Sequence, residues 1–208
     1  MRIDREGRVF LAVSLAVAGA AVWLHPLAAL PPLAAGGFVA WFFRDPHRDP
    51  PTDPDAVLSP ADGKVLVAGP RRVSVFMNVF DVHVCRAPIA GLVTRVRHVP
   101  GRFRAAYRDD APECNERAEI DLGLGDGSLR FVLVAGLVAR RIVCRVKEGQ
   151  QVTAGERVGL IRFGSRVDVD LPGEFEPVVR RGERVVAGRT VVARRRRPGT
   201  RPAGAFPL

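Results

Sequence analysis

"VKEGQQVTAGERVGLI" (146–161) and "VRRGERVVAGRTVVA" (179–193) share one frame, G-x-x-V-x-x-G. Gly149, Val152 and Gly155 recur 33 residues later as Gly182, Val185 and Gly188. Each frame offers a turn, a β-branched residue to bury and a second turn, which is a short strand between two corners. Other β-like segments surround the frames: "KVLVAG", "RVSVFMNV", "LVTRVRHV", "LRFVLVAGLVARRIVCRV", "ERVGLIRF" and "RVDVDL". The 21 glycines and 17 prolines fall largely between such segments, and helical periodicity is scarce outside the N-terminus. The main body is therefore predicted to be mainly β.

The N-terminus has a different character. From Val9 to Phe43 there is no Asp, Glu, Lys or Arg, and His25 is the only ionisable side chain. Two apolar runs, 9–24 and 33–43, are separated by "HPLAALPP", and because proline breaks a helix the pattern predicts a helical hairpin. Runs of 16 and 11 residues fall short of the roughly 20 that a full span needs. A membrane-embedded hairpin that holds a cytosolic domain at the bilayer surface is the favoured expectation, and two true spans stay open. Arg2, Arg5 and Arg8 precede the pair and Arg44 and Arg48 follow it, so both ends are expected on the cytoplasmic face of the cell membrane. The proline-rich "DPHRDPPTDP" (45–54) sets the expected boundary: a membrane-associated hairpin over 1–45 and a β domain over 46–208.

The formal charge is +10, and nine arginines against one acid (Glu183) lie between Val178 and the end. Such a patch attracts nucleic acid or anionic lipid. No aromatics interleave with the arginines as a base-stacking platform requires, so nucleic acid is not expected. Cys85, Cys114 and Cys144 are odd in number and lack a CxxC spacing, which suits buried reduced thiols. No Cys/His cluster has zinc-ligand spacing, and no glycine-rich loop matches a nucleotide fingerprint.

The paired frames resemble the half-motifs of lipoyl/biotinyl-type barrel-sandwich hybrids. Carriers of that kind attach a cofactor to a lysine at a hairpin tip. Neither Lys64 nor Lys147 lies midway between the frames; what sits between them is Gly164-Ser165, in "RFGSRVDVDLP" (162–172). By itself this pair reads rather as a corner between two strands.

Together with "SPADGKV" (59–65), "MNVFDVHVCRAP" (77–88) and "GLVARRIVCRV" (136–146), the stretch "GERVGLIRFGSRVDVDLP" resembles the short form of phosphatidylserine decarboxylase proenzymes over roughly residues 44 to 193. The resemblance implies self-cleavage between Gly164 and Ser165 into a chain of 1–164 and a chain of 165–208 that begins with a covalent pyruvoyl group. Ser165 would attack the Gly164 carbonyl, and after elimination and loss of ammonia its ketone would form a Schiff base with the substrate amine. His83, in "DVHVCRAP", matches the family histidine that would act as general base and acid. Asp62, in "PADGK", matches the aspartate that would orient it, although "PADG" is also an ordinary turn. Arg86 and Arg166 are candidates for the substrate's phosphate or carboxylate.

Two departures from the family pattern are visible. Longer members have a second histidine where this chain has Arg86, and Ser or Thr where it has Arg166. It stays open whether His83 serves both steps or shares them with another residue, His98 being the nearest alternative. The activity implied is conversion of phosphatidylserine to phosphatidylethanolamine and carbon dioxide at the membrane. The two cleaved chains would remain a heterodimer, with a higher homo-oligomer left open. The rivals are a non-enzymatic barrel-sandwich adaptor and a pyruvoyl decarboxylase of another amino-acid substrate.

Overall fold

The computed structural model describes residues 2–125, 127–137, 141–162 and 164–196. A short strand β1 (Arg2–Ile3) leads into helix α1 (Arg5–Val22), a 3-10 turn (Pro26–Ala29), helix α2 (Leu30–Phe42) and strand β2 (Arg44–Asp45). The β region runs β3 (Ala56–Leu58), β4 (Gly63–Gly69), β5 (Arg72–Met77), β6 (Val84–Arg86) and β7 (Gly91–Val99). After the short helix α3 (Ala111–Cys114) come β8 (Arg117–Leu124), β9 (Gly127–Val134), β10 (Ile142–Cys144) and β11 (Gln151–Val152). The chain ends with β12 (Arg157–Ile161), β13 (Ser165–Asp170), β14 (Phe175–Pro177), β15 (Arg184–Val185) and β16 (Val191–Arg195). The mainly β expectation holds.

Eight strands form one antiparallel sheet in the order β11-β7-β8-β9-β13-β5-β4-β15. The two frames supply its two edges. Gly149 N–H donates to Val93 O and Gly182 N–H to Val65 O, both at 2.8 Å, while Val93 and Val65 return bonds to Gln150 O and Glu183 O. The four frame glycines have φ between +67° and +91°, the left-handed region that a Cβ disfavours. The sheet curls until its edges meet: a Cβ built on Gly188 would lie 3.3 Å from the Gly155 Cα. The repeat in the sequence is thus a repeat in hydrogen bonding.

Period-2 alternation explains the two faces. Ala118, Ile120 and Leu122 of β8, Leu129, Phe131 and Leu133 of β9, and Val167 and Val169 of β13 point into one core and are fully buried. Between them, Arg117, Glu119, Asp121, Arg130, Arg166 and Asp168 point outward and pair. Arg130 forks onto Asp121 at 2.6 and 3.0 Å, and Arg97 and Arg117 share Glu119. Much of the arginine excess on this face is therefore spent within the sheet. Two three-stranded sheets, β10-β12-β6 and β14-β16-β3, complete the β region.

The N-terminal helices pack on each other and on the β region. Pro31 and Pro32 do not break α2 but lie in its first turn, where a missing N–H costs nothing. Among the described residues no helix is long and apolar enough to cross a membrane. The pair is anchored below by the β1–β2 ribbon and by Arg145, which clasps Asp4 at 2.6 and 2.7 Å. That clasp holds the Asp4 carboxyl below its usual range against the opposing effect of burial. No disulfide joins the cysteines among the described residues. The part of the arginine tail from 197 to 208 lies outside them.

Gly188→Ala is expected to strain the left-handed corner and to press a methyl to 2.9 Å from the Arg86 Cδ. The cost is about 1–3 kcal/mol, a fall in thermal midpoint of roughly 3–10 °C. Gly173→Ala, where a Cβ meets nothing within 4 Å, should melt like the parent and serves as control.

Candidate active site

The corner between β12 and β13 is where the chain changes sheets. Ile161 ends a strand of the small β10-β12-β6 sheet, and Ser165 begins a strand at the centre of the large one. Gly164 makes the change with φ +62°. From Arg166 onward β13 is paired on both sides, with β5 and β9, but Ser165 pairs only with Met77 of β5. The serine is fully buried, and its Oγ has no hydrogen-bond partner.

Unpartnered buried polar atoms are uncommon, because each leaves a desolvation cost of about 1–3 kcal/mol uncompensated. Among the described residues three side-chain atoms are in this condition: Ser165 Oγ, His83 Nε2 and Arg162 Nε. Two belong to the β12–β13 corner. The third is tied to it, since Ile161 N–H donates to His83 O at 3.3 Å.

His83 lies between β5 and β6 with no exposure. Its Nδ1 is 2.9 Å from the Asp81 carbonyl oxygen, which can only accept, so Nδ1 carries the proton and Nε2 keeps its lone pair. Burial lowers the imidazole pKa to about 4, and the positive charge of Arg44 adds to this against the Asp81 bond. The result is a neutral, dry, unpartnered base.

Asp62 does not orient this ring. Its Oδ1 accepts from Ala187 N–H at 2.7 Å and its Oδ2 from Arg48 at 2.8 Å, so it joins the linker to the second frame. Burial raises its carboxyl pKa. The orienting acceptor is a backbone carbonyl two residues before the histidine. The two candidate substrate arginines are also engaged elsewhere. Arg86 is buried and donates to Gly155 O, Asp45 and Pro46 O. Arg166 is buried and donates to Asp168 and the Ser74 Oγ. Both serve the fold. His98 is exposed on β7 opposite Ala118.

Features that motif reading missed complete the surroundings. Gly164 lines a largely apolar cavity of about 310 Å³ with Phe76, Asn78, Ala106, Tyr107 and Leu137. The Gly164 carbonyl presses on Gly136, where a Cβ would stand only 1.7 Å from the oxygen. Asn115 pins this wall by donating to Arg104 O and Ala135 O and accepting from Arg104 N–H. On its outer side the Phe42 ring lies 4.4 Å from His83. No group of three metal-ligating side chains occurs among the described residues.

Comparison with known proteins agrees on one family. The phosphatidylserine decarboxylase family model matches residues 35–193. The phosphatidylserine decarboxylase proenzyme of Solibacter usitatus is 46% identical over 202 residues, covering 94% of this chain and 98% of its own. That of Symbiobacterium thermophilum is 47% identical over 207 residues, covering 92% and 95%. That of Paramagnetospirillum magneticum is 49% identical over 169 residues, covering 74% and 70%.

The geometry of His83 makes a spectroscopic prediction. In a Ser165→Ala chain, nitrogen-resolved NMR should find Nδ1 protonated, Nε2 unprotonated and a titration midpoint near 4. A midpoint near 6.5, the ordinary value, would mean that the ring is solvated and the site is not built this way.

Proposed function

Because the chain belongs to the phosphatidylserine decarboxylase family, a family of decarboxylases, we propose that it matures by cutting itself at Gly164-Ser165 and then decarboxylates phosphatidylserine at the membrane surface. The observation that carries the proposal is the buried Ser165 Oγ without a partner, directly after Gly164, which lines a cavity. A serine that served only as a corner would bond its hydroxyl to the backbone.

In the proposed cleavage the Ser165 hydroxyl adds to the Gly164 carbonyl, and its proton passes to a base. The C–N bond breaks, leaving an ester through Oγ and a free amine on Ser165. Removal of the Ser165 α-proton then expels the Gly164 carboxylate and leaves a dehydroalanine. Its imine tautomer takes up water and releases ammonia, so the 165–208 chain begins with pyruvoyl. His83 is our candidate base, since its Nε2 lone pair is available at neutral pH. The residues fit such a group: Ser165 supplies its atoms, and the apolar cavity at Gly164 gives an amine-bearing headgroup access. Once formed, pyruvoyl supplies an electrophilic carbonyl that accepts the electron pair released with carbon dioxide. Around it His83 would hold or return a proton, and the Phe76–Tyr107 wall would exclude water.

Membrane attachment on the cytoplasmic face is part of the same proposal. Trp23 and Leu24 at the tip of the helical pair are about nine-tenths exposed, and Val9, Val13, Leu27, Leu30 and Phe80 are also bare. Exposed apolar side chains of this kind suit the bilayer interface. We also read the two edge frames as barrel-sandwich half-motifs, and the two chains as a lasting heterodimer.

The decisive measurement is the denatured mass of the purified protein. The expected result is two chains, 1–164 and 165–208, with the smaller light by one ammonia, and a single intact chain for Ser165→Ala. An intact parent chain would overturn self-processing and favour the adaptor reading. Two chains without decarboxylation of phosphatidylserine vesicles would point to another amino-acid substrate. Gly136→Ala should slow cleavage at least tenfold, because its methyl displaces the carbonyl under attack.

A further inference from the structure

The helical pair meets the β region at the histidine rather than at an indifferent surface. Phe42, the last residue of α2, is fully buried and lays its ring on His83 at 4.4 Å with a 36° tilt. Phe42 and Phe43 share a separate small core with Val82 and Val84, the two neighbours of His83, and with Leu160 of β12. Asp4 N–H bonds Phe43 O at 2.8 Å, which fixes the start of α1 to the end of α2. In the first turn of α1, Glu6 holds Arg162 at 2.7 Å, and the same guanidinium lies over the Phe10 ring. Arg162 is two residues before Gly164. The base of the helical pair thus grips both partners of the proposed chemistry, the histidine through Phe42 and the corner through Glu6.

Resting on the self-cleavage reading above, we propose that Phe42 is a positioning residue: its ring keeps the His83 imidazole dry and immobile, so that docking of the membrane-facing helices and competence for cleavage are one event. An aromatic face covering one side of an imidazole excludes water there and leaves the ring few alternative rotamers. The bond from Nδ1–H to Asp81 O then sets the direction in which Nε2 points. The charged groups around the ring come from several elements. Arg44 follows from the helical pair and bonds Phe80 O. Asp81 lies on the histidine's own loop and is held by Arg184. Asp62, in the turn before β4, is held by Arg48, and Arg162, at the end of β12, by Glu6. Each carboxylate has its own arginine, which leaves the imidazole without a counter-ion and makes the phenyl cover decisive.

The test is cell-free synthesis of the full chain, with appearance of the 165–208 fragment timed at pH 6 and pH 8. The parent should cleave at nearly equal rates at both, as should Leu92→Ala, a control that removes exposed apolar surface from β7. In Phe42→Ala water reaches the imidazole, its pKa returns toward 6.5, and the rate at pH 6 should fall about fourfold below that at pH 8. Phe42→Leu, which keeps cover but loses the ring, should lie between them. A Phe42→Ala chain that folds and keeps an equal rate at both pH values overturns the proposal. If that chain shows no melting transition, the same outcome for Phe42→Leu does so. Failure of the parent to cleave at any pH would strike the self-cleavage reading instead. The placement of Phe42 is then judged by NMR in Ser165→Ala, where adding Phe42→Ala should raise the His83 midpoint from about 4 to near 6.5. An unmoved midpoint overturns it.

Discussion

Strand β13 is held from both sides, and the hold stops one residue short of its start. From Arg166 to Asp170 every residue faces a partner on β5 and another on β9, whereas Ser165 has β5 alone. Backbone groups inside a sheet are satisfied and immobile; those at its end are immobile but not fully satisfied. This half-paired position lets a serine be buried with its hydroxyl unbonded while the glycine before it lines a cavity. The sheet carries the cost of that arrangement. Val167 and Val169 fill the core, and the outward Arg166 and Asp168 satisfy each other at 2.5 Å.

The remaining elements fix the ends of this sheet and cover its open side. The two G-x-x-V-x-x-G frames close the edges and meet at Gly155 and Gly188, so the eight strands curl instead of lying flat. Exposed edges invite pairing with other chains, and short edge strands between tight corners reduce that risk. Arg86 passes under this meeting point and ties Gly155 O to Asp45 at the exit of the helical pair. Edge closure, linker path and helix docking therefore share one buried guanidinium. An arginine at that position is structural, which explains why it is not available to an anion.

Much of this was legible in the chain, and the limits are physical. The strands with clear alternation were readable, as in "RVDVDL", and so was the repeat, because turn glycines and buried valines leave a local signature. β8, "RAEIDLGL", was not singled out although it lies within the large sheet. Its apolar positions include the small Ala118, and its charged positions find partners only across strands. Ser165, Gly164 and His83 stood out through motif resemblance. What holds the histidine did not, since a backbone carbonyl can be supplied by any residue and leaves no mark on composition. Asp62 reads as the orienting acid in the sequence because its motif, "PADGK", matches that of the family aspartate. Its partners, Arg48 and Ala187, are brought to it only by the folded linker and second frame. Phe42 and Gly136 act through close approach between distant segments, and one sequence carries no record of distance.

The central place of β13 has a consequence for the history of the molecule. A chain divided at Gly164 would become two polypeptides that contribute to one sheet, the smaller one inserted between β5 and β9 of the larger. Separation would require unzipping both ladders at once, so in the folded state the division is silent. After complete unfolding it is not. The two pieces would have to find each other in solution, and what was a first-order folding reaction would become second-order and dependent on concentration. Such a protein folds once as a single chain and afterwards persists through slow unfolding rather than reversible equilibrium.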